Sequence, residues 1–373
     1  MMRVNLLKAY YYSFLAMFAV IVFSNLFPSD WVVVMRPFVF FVAILSIFLL
    51  NNTKAVIYLL LLYVFILTYT LYPLLTNSVN IQHLVNNTKY TIYLVFIFGL
   101  VNMMRFISLD RLLYNMSKIF IVKLLFIGMI SLNMNFGGGW FAGYILDGIE
   151  LNVHRLFGAY RVFDVYLFLF PLIFLYTKDK ENIIKIMTHA LLLFNIVSSA
   201  TFGIIFPYIA IMLLKFNILG RVLFLLSGVI GFIYHDLLLD LYSYFLTEKS
   251  VSIEVKLDQF LFLIDNITLW GQGLGGVIDI QGRVGYMLEN IYIYWVIVYG
   301  VIGTIFMIMF FVVFPFLICY RFKKEFPVMI LFYMHVAILL ASASNPFLES
   351  VIGIMPMMII VSYFFSKNYS KQV

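Results

Sequence analysis

Four basic residues stand out because they fall in two long, more polar segments of an otherwise apolar chain. Arg155 and Arg161 belong to the stretch His154–Arg161, and Lys256 and Arg283 lie in the second segment. Paired guanidinium groups are well suited to bind a phosphate or diphosphate through parallel hydrogen bonds. The alternative is that these cations form ordinary salt bridges with nearby acids, namely Asp147, Glu150, Asp164, Glu254 and Asp279. The residue types leave both interpretations open.

A glycine-rich run and an acid follow in the second segment. Gly271, Gly273 and Gly275 alternate with other residues directly after a tryptophan, and such glycines permit close backbone approach to a ligand or left-handed turns. Glu289 and Asn290 come next, at the predicted start of a membrane span. Partial desolvation there makes a carboxylate a better proton acceptor, so Glu289 is a candidate general base. The alternative is a favourable acidic charge in the first turn of a helix.

The spacing of residues does not match a known pattern for binding a metal or for a catalytic triad. His154, His235 and His335 share no spacing typical of zinc ligands, and no Ser/His/Asp arrangement can be assembled. We therefore predict neither a metal site nor a cofactor.

The composition defines the elements that must position these residues. The 373-residue chain is 64% hydrophobic and 11% charged, with a mean hydropathy of +1.05, which excludes a soluble globular or a disordered protein. We predict an all-α polytopic membrane protein, residues 1–373 forming one integral domain of about 12 transmembrane helices. The predicted spans lie near 10–27, 31–50, 55–75, 90–104, 119–134, 163–177, 183–200, 203–214, 222–240, 289–319, 327–343 and 350–366.

The placement of charge predicts the orientation. With the N-terminus inside, 17 of the 24 basic residues but only 4 of the 17 acids fall on the inner side, giving +13 inside and −6 outside. In this count Lys123 lies at the inner edge of a span and Asp164 lies outside. We predict that both termini are cytoplasmic and that the +7 net charge reflects topology, with no nucleic-acid partner.

Two outer connections are long, 135–163 and 241–288, and long connections in compact proteins are usually functional or disordered. The stretch Leu257–Trp270 places five apolar residues along one helical face, Leu257, Phe260, Leu261, Ile264 and Ile267. That pattern predicts a helix lying in the outer membrane interface. A lid packed on the helix bundle is the alternative.

Four segments follow one another in the chain: Arg155-Leu156-Phe157-Gly158, Ser198–Gly203, the stretch from Ser250 to Gly275, and Glu289–Tyr292 followed by Tyr299–Gly303. In this order they resemble the O-antigen polymerase and O-antigen ligase superfamily of bacterial membrane glycosyltransferases. Lys256 stands where that family usually has an arginine, Glu289 stands where its ligases have a histidine, and the serine turn lacks the family's arginine.

The resemblance implies a metal-independent enzyme with a GT-C-like fold and two large periplasmic loops in the bacterial inner membrane. It would polymerise O-antigen or a related surface polysaccharide from undecaprenyl-diphosphate-linked oligosaccharides, with a chain-length regulator as a further partner. By the same resemblance Arg155, Arg161, Lys256 and Arg283 bind the diphosphate, Glu289 activates the acceptor hydroxyl, and Gly271, Gly273, Gly275 and Asn290 form a substrate loop.

Two alternatives stay open from the sequence. An O-antigen ligase would transfer the finished glycan to lipid A-core, and the glutamate in place of histidine at 289 counts against it. A flippase or transporter of lipid-linked oligosaccharide should carry cations within its spans, whereas the predicted spans are nearly free of charge. The sequence therefore favours an enzyme over a carrier, and a polymerase over a ligase.

Overall fold

The computed structural model is a helical bundle with two short β-hairpins. It describes residues 2–24, 29–49, 52–75, 81–88, 91–136, 153–156, 159–162, 164–199, 204, 207–211, 254–274, 278–280, 283–285, 288, 290–343, 348 and 350–369. The predicted span 222–240 and most of 203–214 lie outside these residues, as do Gly275 and Glu289.

Over the described residues, the first half of the bundle has seven helices. The long ones form where runs of Leu, Ile, Phe and Val let a segment satisfy its backbone polar groups within one helix. Asn52 starts one of them by accepting a hydrogen bond from the backbone N–H of Ala55 at 3.0 Å. The helices are α1 (Met2–Phe23), α2 (Ser29–Phe48), α3 (Thr53–Leu75), α4 (Ile81–Thr88), α5 (Thr91–Leu94), α6 (Phe96–Met103) and α7 (Leu109–Phe136).

The second half mixes helices with the hairpins. Its helices are α8 (Leu172–Tyr176), which follows a 3-10 helix at Val165–Leu169, then α9 (Asn182–Ser199), α10 (254–266), α11 (Ile291–Ile308), α12 (Phe314–Arg321), α13 (Phe326–Ala341) and α14 (Val351–Tyr369). A π-helical turn at Met309–Val313 joins α11 to α12. The antiparallel strands are β1 (Val153–Leu156) with β2 (Ala159–Val162), and β3 (Ile278–Ile280) with β4 (Arg283–Gly285).

The structure confirms an all-α membrane protein, to which the two hairpins are small additions that the sequence did not predict. Within the described residues, five helices are long and apolar enough to cross a membrane: Asn5–Phe23, Thr53–Tyr72, Leu109–Met134, Ile291–Arg321 and Val351–Asn368. Five further apolar helices are shorter. The number of twelve spans and the GT-C-like arrangement stay predictions.

Both ends of the described chain lie on the same face of the bundle. The Tyr10 hydroxyl donates to the carbonyl of Phe96, and the Ser362 hydroxyl donates to the carbonyl of Ile97, so α1 and α14 meet α6 at one level. Farther along α14, Tyr363 hydrogen-bonds Glu325 in the turn between α12 and α13. We call this the terminal face, defined by Met2, Leu49, Asn52, Tyr369 and the turns at 104–108, 177–181 and 322–325.

The opposite end of the bundle carries the hairpin 153–162. Helices α1 and α7 run parallel, since Tyr11 contacts Asn115 near the terminal face and the ring of Phe23 contacts that of Phe126 farther along. The backbone N–H of Ile291 donates to the carbonyl of Ser342, which brings the start of α11 and the end of α13 together. We call this end the hairpin face, defined by Ser24, the strands 153–156 and 159–162, residues 268–274, Asn290 and Ser342.

One predicted charge assignment is wrong. The sequence predicts Lys123 at the inner edge of a span and Asp164 outside, yet their side chains form an ion pair 2.6 Å long in which both are fully buried. Helix α7 begins at Leu109, ten residues before the predicted span, so Lys123 falls in its middle. A lysine inside an apolar helix can reach a partner on another element, which local flanking patterns do not reveal. Removing this neutral pair leaves +12 on the inner side and −5 on the outer side of the predicted topology.

Candidate functional site

The first hairpin carries two of the candidate cations, on strands whose register is defined. Arg155 pairs with Tyr160, and His154 pairs with Arg161. Residues directly opposite in an antiparallel pair share a face, and neighbours along a strand alternate between faces. Positions 155 and 161 are therefore on opposite faces of this hairpin. A ligand bound against one face meets one of the two arginine positions, so the hairpin by itself does not form a two-arginine clamp.

A buried charge cluster lies at the base of this hairpin. The Lys123 ammonium donates to Asp164 Oδ1 at 2.6 Å and lies 4.0 Å from the centre of the Tyr166 ring. Asp164 Oδ1 also accepts from the backbone N–H of Tyr166 at 3.1 Å, which caps the 3-10 helix. The hydroxyls of Tyr166 and Ser24 hydrogen-bond at 2.9 Å. The cluster thus joins α1, α7 and the segment that leaves β2.

The glycine-rich segment docks onto a break in α11. Gly300, with φ 65° and ψ −175°, interrupts the helix, and Gly271 faces it with φ 73°. The backbone N–H groups of Gln272 and Gly273 donate to the carbonyls of Ile297 and Val298 at 2.9 and 2.8 Å. Across the break, Val301 N–H donates to Thr268 at 3.0 Å and Ile302 N–H to Leu269 at 3.2 Å. We call residues 268–274 the splice segment, because they complete the interrupted helix.

Close packing explains why both positions of the splice are glycine. A Cβ atom on Gly271 would lie 2.3 Å from the Gly300 nitrogen, and a Cβ on Gly300 would lie 2.4 Å from the Gly271 nitrogen. These contacts are with backbone atoms, which have no rotamer to move aside. The positive φ values add a conformation that only glycine adopts without strain. Gly271 and Gly273, predicted as a substrate loop, therefore have a structural role that does not depend on a ligand.

Helix α10 presents an apolar face that does not pack on the bundle. Leu257, Phe260, Leu261 and Ile264 are each 50–56% exposed, and Trp270 in the splice segment is 63% exposed. The packed-lid alternative requires this face to be covered by the bundle, whereas it is open. The candidate cation Lys256 is half-buried on the same helix, and Gln259 is buried.

Asn290 starts α11 as its N-cap residue. Its side-chain oxygen accepts hydrogen bonds from the backbone N–H groups of Tyr292 and Ile293, at 2.9 and 3.2 Å. This is the ordinary helix-capping geometry, and it gives Asn290 a structural role. The candidate base Glu289 lies outside the described residues, directly before this cap in the sequence.

The structure places the described candidates on several elements and joins only some of them directly. Arg155 and Arg161 share the first hairpin, and the splice segment contacts the helix that starts at Asn290. Lys256 lies on α10, and Arg283 begins β4 in the second hairpin, so these two belong to separate elements. Over the described residues, no three His, Cys, Asp or Glu side chains form a group that could hold a metal ion.

Sequence reasoning missed two parts of this site. The partnership of Lys123 with Asp164 spans 41 residues, and its only sequence signal is a lysine inside an apolar helical stretch. The role of Gly300 as partner of Gly271 spans 29 residues, and its signal is a glycine within an otherwise uninterrupted span. Both signals become informative only when the partner is known.

Comparison with known proteins adds no relative. No family model matches the chain, no curated protein matches it, and no solved structure matches it.

Proposed function

We propose that this protein is a membrane glycosyltransferase that polymerises O-antigen or a related polysaccharide from undecaprenyl-diphosphate-linked oligosaccharides. The proposal starts from the four ordered segments that resemble the polymerase and ligase superfamily. The observation that carries it is the separation of described candidate residues from the termini. The first hairpin and Asn290 lie at the hairpin face and the splice segment contacts the helix that Asn290 starts, whereas both ends of the described chain lie at the terminal face.

Charge supports the orientation that this function requires. The terminal face carries a dense set of basic residues, and basic residues collect on the cytoplasmic side of membrane proteins. The hairpin face is then periplasmic, where lipid-linked repeat units are joined, and both termini are cytoplasmic. The described basic residues at or near the terminal face are Lys8, Lys54, Arg105, Arg111, Lys118, Lys178, Lys180, Lys185, Arg321, Lys323, Lys324 and Lys367.

The exposed face of α10 supports a substrate held at the membrane surface. Residues 301–321 rise about 31 Å at 1.5 Å per residue, which is close to the thickness of the hydrocarbon core. From Val301 onward this helix has exposed apolar side chains, whereas the large apolar residues of 291–299 are buried or half-buried. The splice at Gly300 therefore lies near the outer interface, and α10 lies in that interface with its apolar face in lipid. A diphosphate head group attached to a lipid lies at the same level.

The chemistry follows from what the reaction needs. The acceptor hydroxyl oxygen attacks the anomeric carbon of the donor sugar, its proton passes to Glu289, and the bond from that carbon to the diphosphate oxygen breaks. Cations stabilise the charge that stays on the undecaprenyl diphosphate, which leaves without a proton donor. Lys256, Arg283 and the arginine on one face of the first hairpin supply those cations.

A carrier is the second candidate, because two features of the structure are found in transporters. Lys123 is a buried cation within a helix, and α11 is broken at Gly300 as the helices of many carriers are. Both features are internally satisfied, however. Asp164 neutralises Lys123, and residues 268–273 bond to the backbone of α11 on both sides of the break. Neither then offers an open site for an anionic cargo or a coupling ion.

The deciding experiment uses purified protein and lipid-linked repeat units in vesicles. A ladder of lipid-linked products formed without lipid A-core supports the polymerase, while product formed only with lipid A-core identifies a ligase. Movement of the substrate across the vesicle without new glycosidic bonds identifies a carrier.

The proposed base has its own test. Glu289→Gln should abolish the ladder, and Asp265→Asn, which removes an exposed acid on α10, should leave it intact. A full ladder from Glu289→Gln would contradict the role of Glu289.

A further inference from the structure

The buried pair of Lys123 and Asp164 lies where the first hairpin meets the bundle. Strand β2 ends at Val162, two residues before Asp164, and β2 packs against α7 and α9. Lys123 reaches Asp164 from the middle of α7. The pair is therefore a polar link between the bundle and the residues that directly follow the strand of Arg161.

Stability alone does not account for such a pair. Removing two charges from water is costly, and well-packed apolar side chains in their place often stabilise a protein equally well or better. A charge-assisted hydrogen bond adds a defined geometry, because it joins two specific atoms at a short distance. Apolar contacts between a strand and a helix have no such preferred register.

Two further contacts restrict the geometry of this link. Asp164 caps the 3-10 helix through the N–H of Tyr166, and the Tyr166 hydroxyl bonds Ser24 at the end of α1. The residues that follow β2 are thus held by α7 on one side and by α1 on the other. A slip of one helical turn along α7 would displace the strand by about 5.4 Å, more than a hydrogen bond tolerates.

We propose that Lys123 and Asp164 are positioning residues, which hold the strands 153–156 and 159–162 at a fixed register on α7. In that register the arginine on the substrate-facing side of the hairpin, Arg155 or Arg161, reaches the substrate diphosphate. The inference rests on the proposed function for the role of the arginine. The fixed register itself is independent of that function and can be measured without substrate.

The register is tested by distance measurement in the full-length protein. Spin labels at Ala159→Cys in β2 and Leu132→Cys in α7, in a Cys319→Ala background, report the separation by pulsed electron paramagnetic resonance. Lys123→Met/Asp164→Asn removes the ion pair without leaving a buried charge, and asparagine can still cap the 3-10 helix. We expect a narrow distance distribution in the parent and a broadened or shifted one in this variant.

The matched control is Ser117→Ala, which removes another fully buried polar group of α7, one that bonds only locally to the Tyr114 carbonyl. It should keep the narrow distribution. An unchanged distribution in the double variant overturns the proposal. Should the double variant fail to fold, amide exchange of 159–162 in Asp164→Glu, which keeps both charges and lengthens the link, serves in its place: exchange faster than in Ser117→Ala supports the proposal, and equal exchange overturns it.

Activity then separates this inference from the proposed function. In the polymerisation assay, the double variant should lose at least tenfold in turnover while its thermal midpoint stays near that of Ser117→Ala. Asp164→Glu, which keeps the charge, should restore part of the rate. If the double variant shows a broadened distance distribution and full turnover, the pair does fix the register, but the hairpin has no role in the reaction. A parent protein that forms no polymer, yet shows the distance change, overturns only the proposed function.

Discussion

Replacing Gly271 by alanine tests the splice directly, since the change adds a single methyl group. The new Cβ would lie 2.3 Å from the Gly300 nitrogen and 2.4 Å from the Val298 oxygen, distances that real Cβ atoms essentially never show. The splice segment must therefore move away from α11. That movement breaks the bonds from Gln272 to Ile297 and from Gly273 to Val298.

The expected cost follows from these parts. An alanine at φ 73° costs about 1–2 kcal/mol relative to glycine. Two buried backbone hydrogen bonds left unsatisfied cost about 1–3 kcal/mol each. The sum is about 3–8 kcal/mol, a large share of the roughly 5–15 kcal/mol by which folded proteins are usually stable. We expect Gly271→Ala to lower the thermal midpoint strongly or to prevent accumulation in the membrane.

The assay is thermal unfolding of the detergent-solubilised protein, followed by size-exclusion chromatography of the heated samples. Gly128→Ala is the matched control, because its Cβ would lie 3.2 Å from Leu191 Cδ1, the mobile end of a side chain, and the residue is inside a regular helix. We expect its midpoint to stay close to that of the parent. If Gly271→Ala and Gly128→Ala unfold at the same temperature, the close backbone contact at Gly300 does not exist as described.

Two further predictions concern the hairpin face. Because positions 155 and 161 lie on opposite faces of the hairpin, Arg155→Ala and Arg161→Ala should have unequal effects on polymerisation. One variant should lower the rate tenfold or more, and the other only a few-fold. Equal losses of rate in single-turnover assays would contradict the register of the two strands. For α10, a variant with Trp270 as its only tryptophan should be quenched by lipids brominated in the acyl chain, and Ile264→Glu on the same face should reduce the quenching. Absence of quenching in the variant that keeps Ile264 would place this face outside the lipid.

Composition and hydrophobic periodicity predict much of the fold. Runs of apolar residues long enough to span a membrane fix the fold class and the approximate place of most described helices, because each run must satisfy its own backbone hydrogen bonds. The apolar stripe of Leu257, Phe260, Leu261 and Ile264 predicted a helix whose face is indeed exposed. These signals are local, so a single sequence contains them.

The features that the sequence did not reveal depend on distant partners. Strands β1 and β2 are four residues each, too short for an alternating pattern to distinguish them from a loop. The glycine cluster predicted close approach, but only the fold shows that the approaching group is the backbone at Gly300. The usual flanking rule predicts Lys123 at the membrane edge, and it fails where a buried carboxylate such as Asp164 is available.

The closed break in α11 bears on how the protein works. An interrupted membrane helix in a carrier leaves backbone groups open to an ion or a substrate, and the two helix halves move relative to each other during transport. Here Ile297, Val298, Val301 and Ile302 are all bonded to the splice segment, so the halves cannot swing apart without breaking four backbone hydrogen bonds. Such a joint holds α10 at a constant position relative to the start of α11 at Asn290. A rigid connection of this kind suits an enzyme, which needs an interfacial element and a catalytic residue at a fixed separation, and it opposes alternating access.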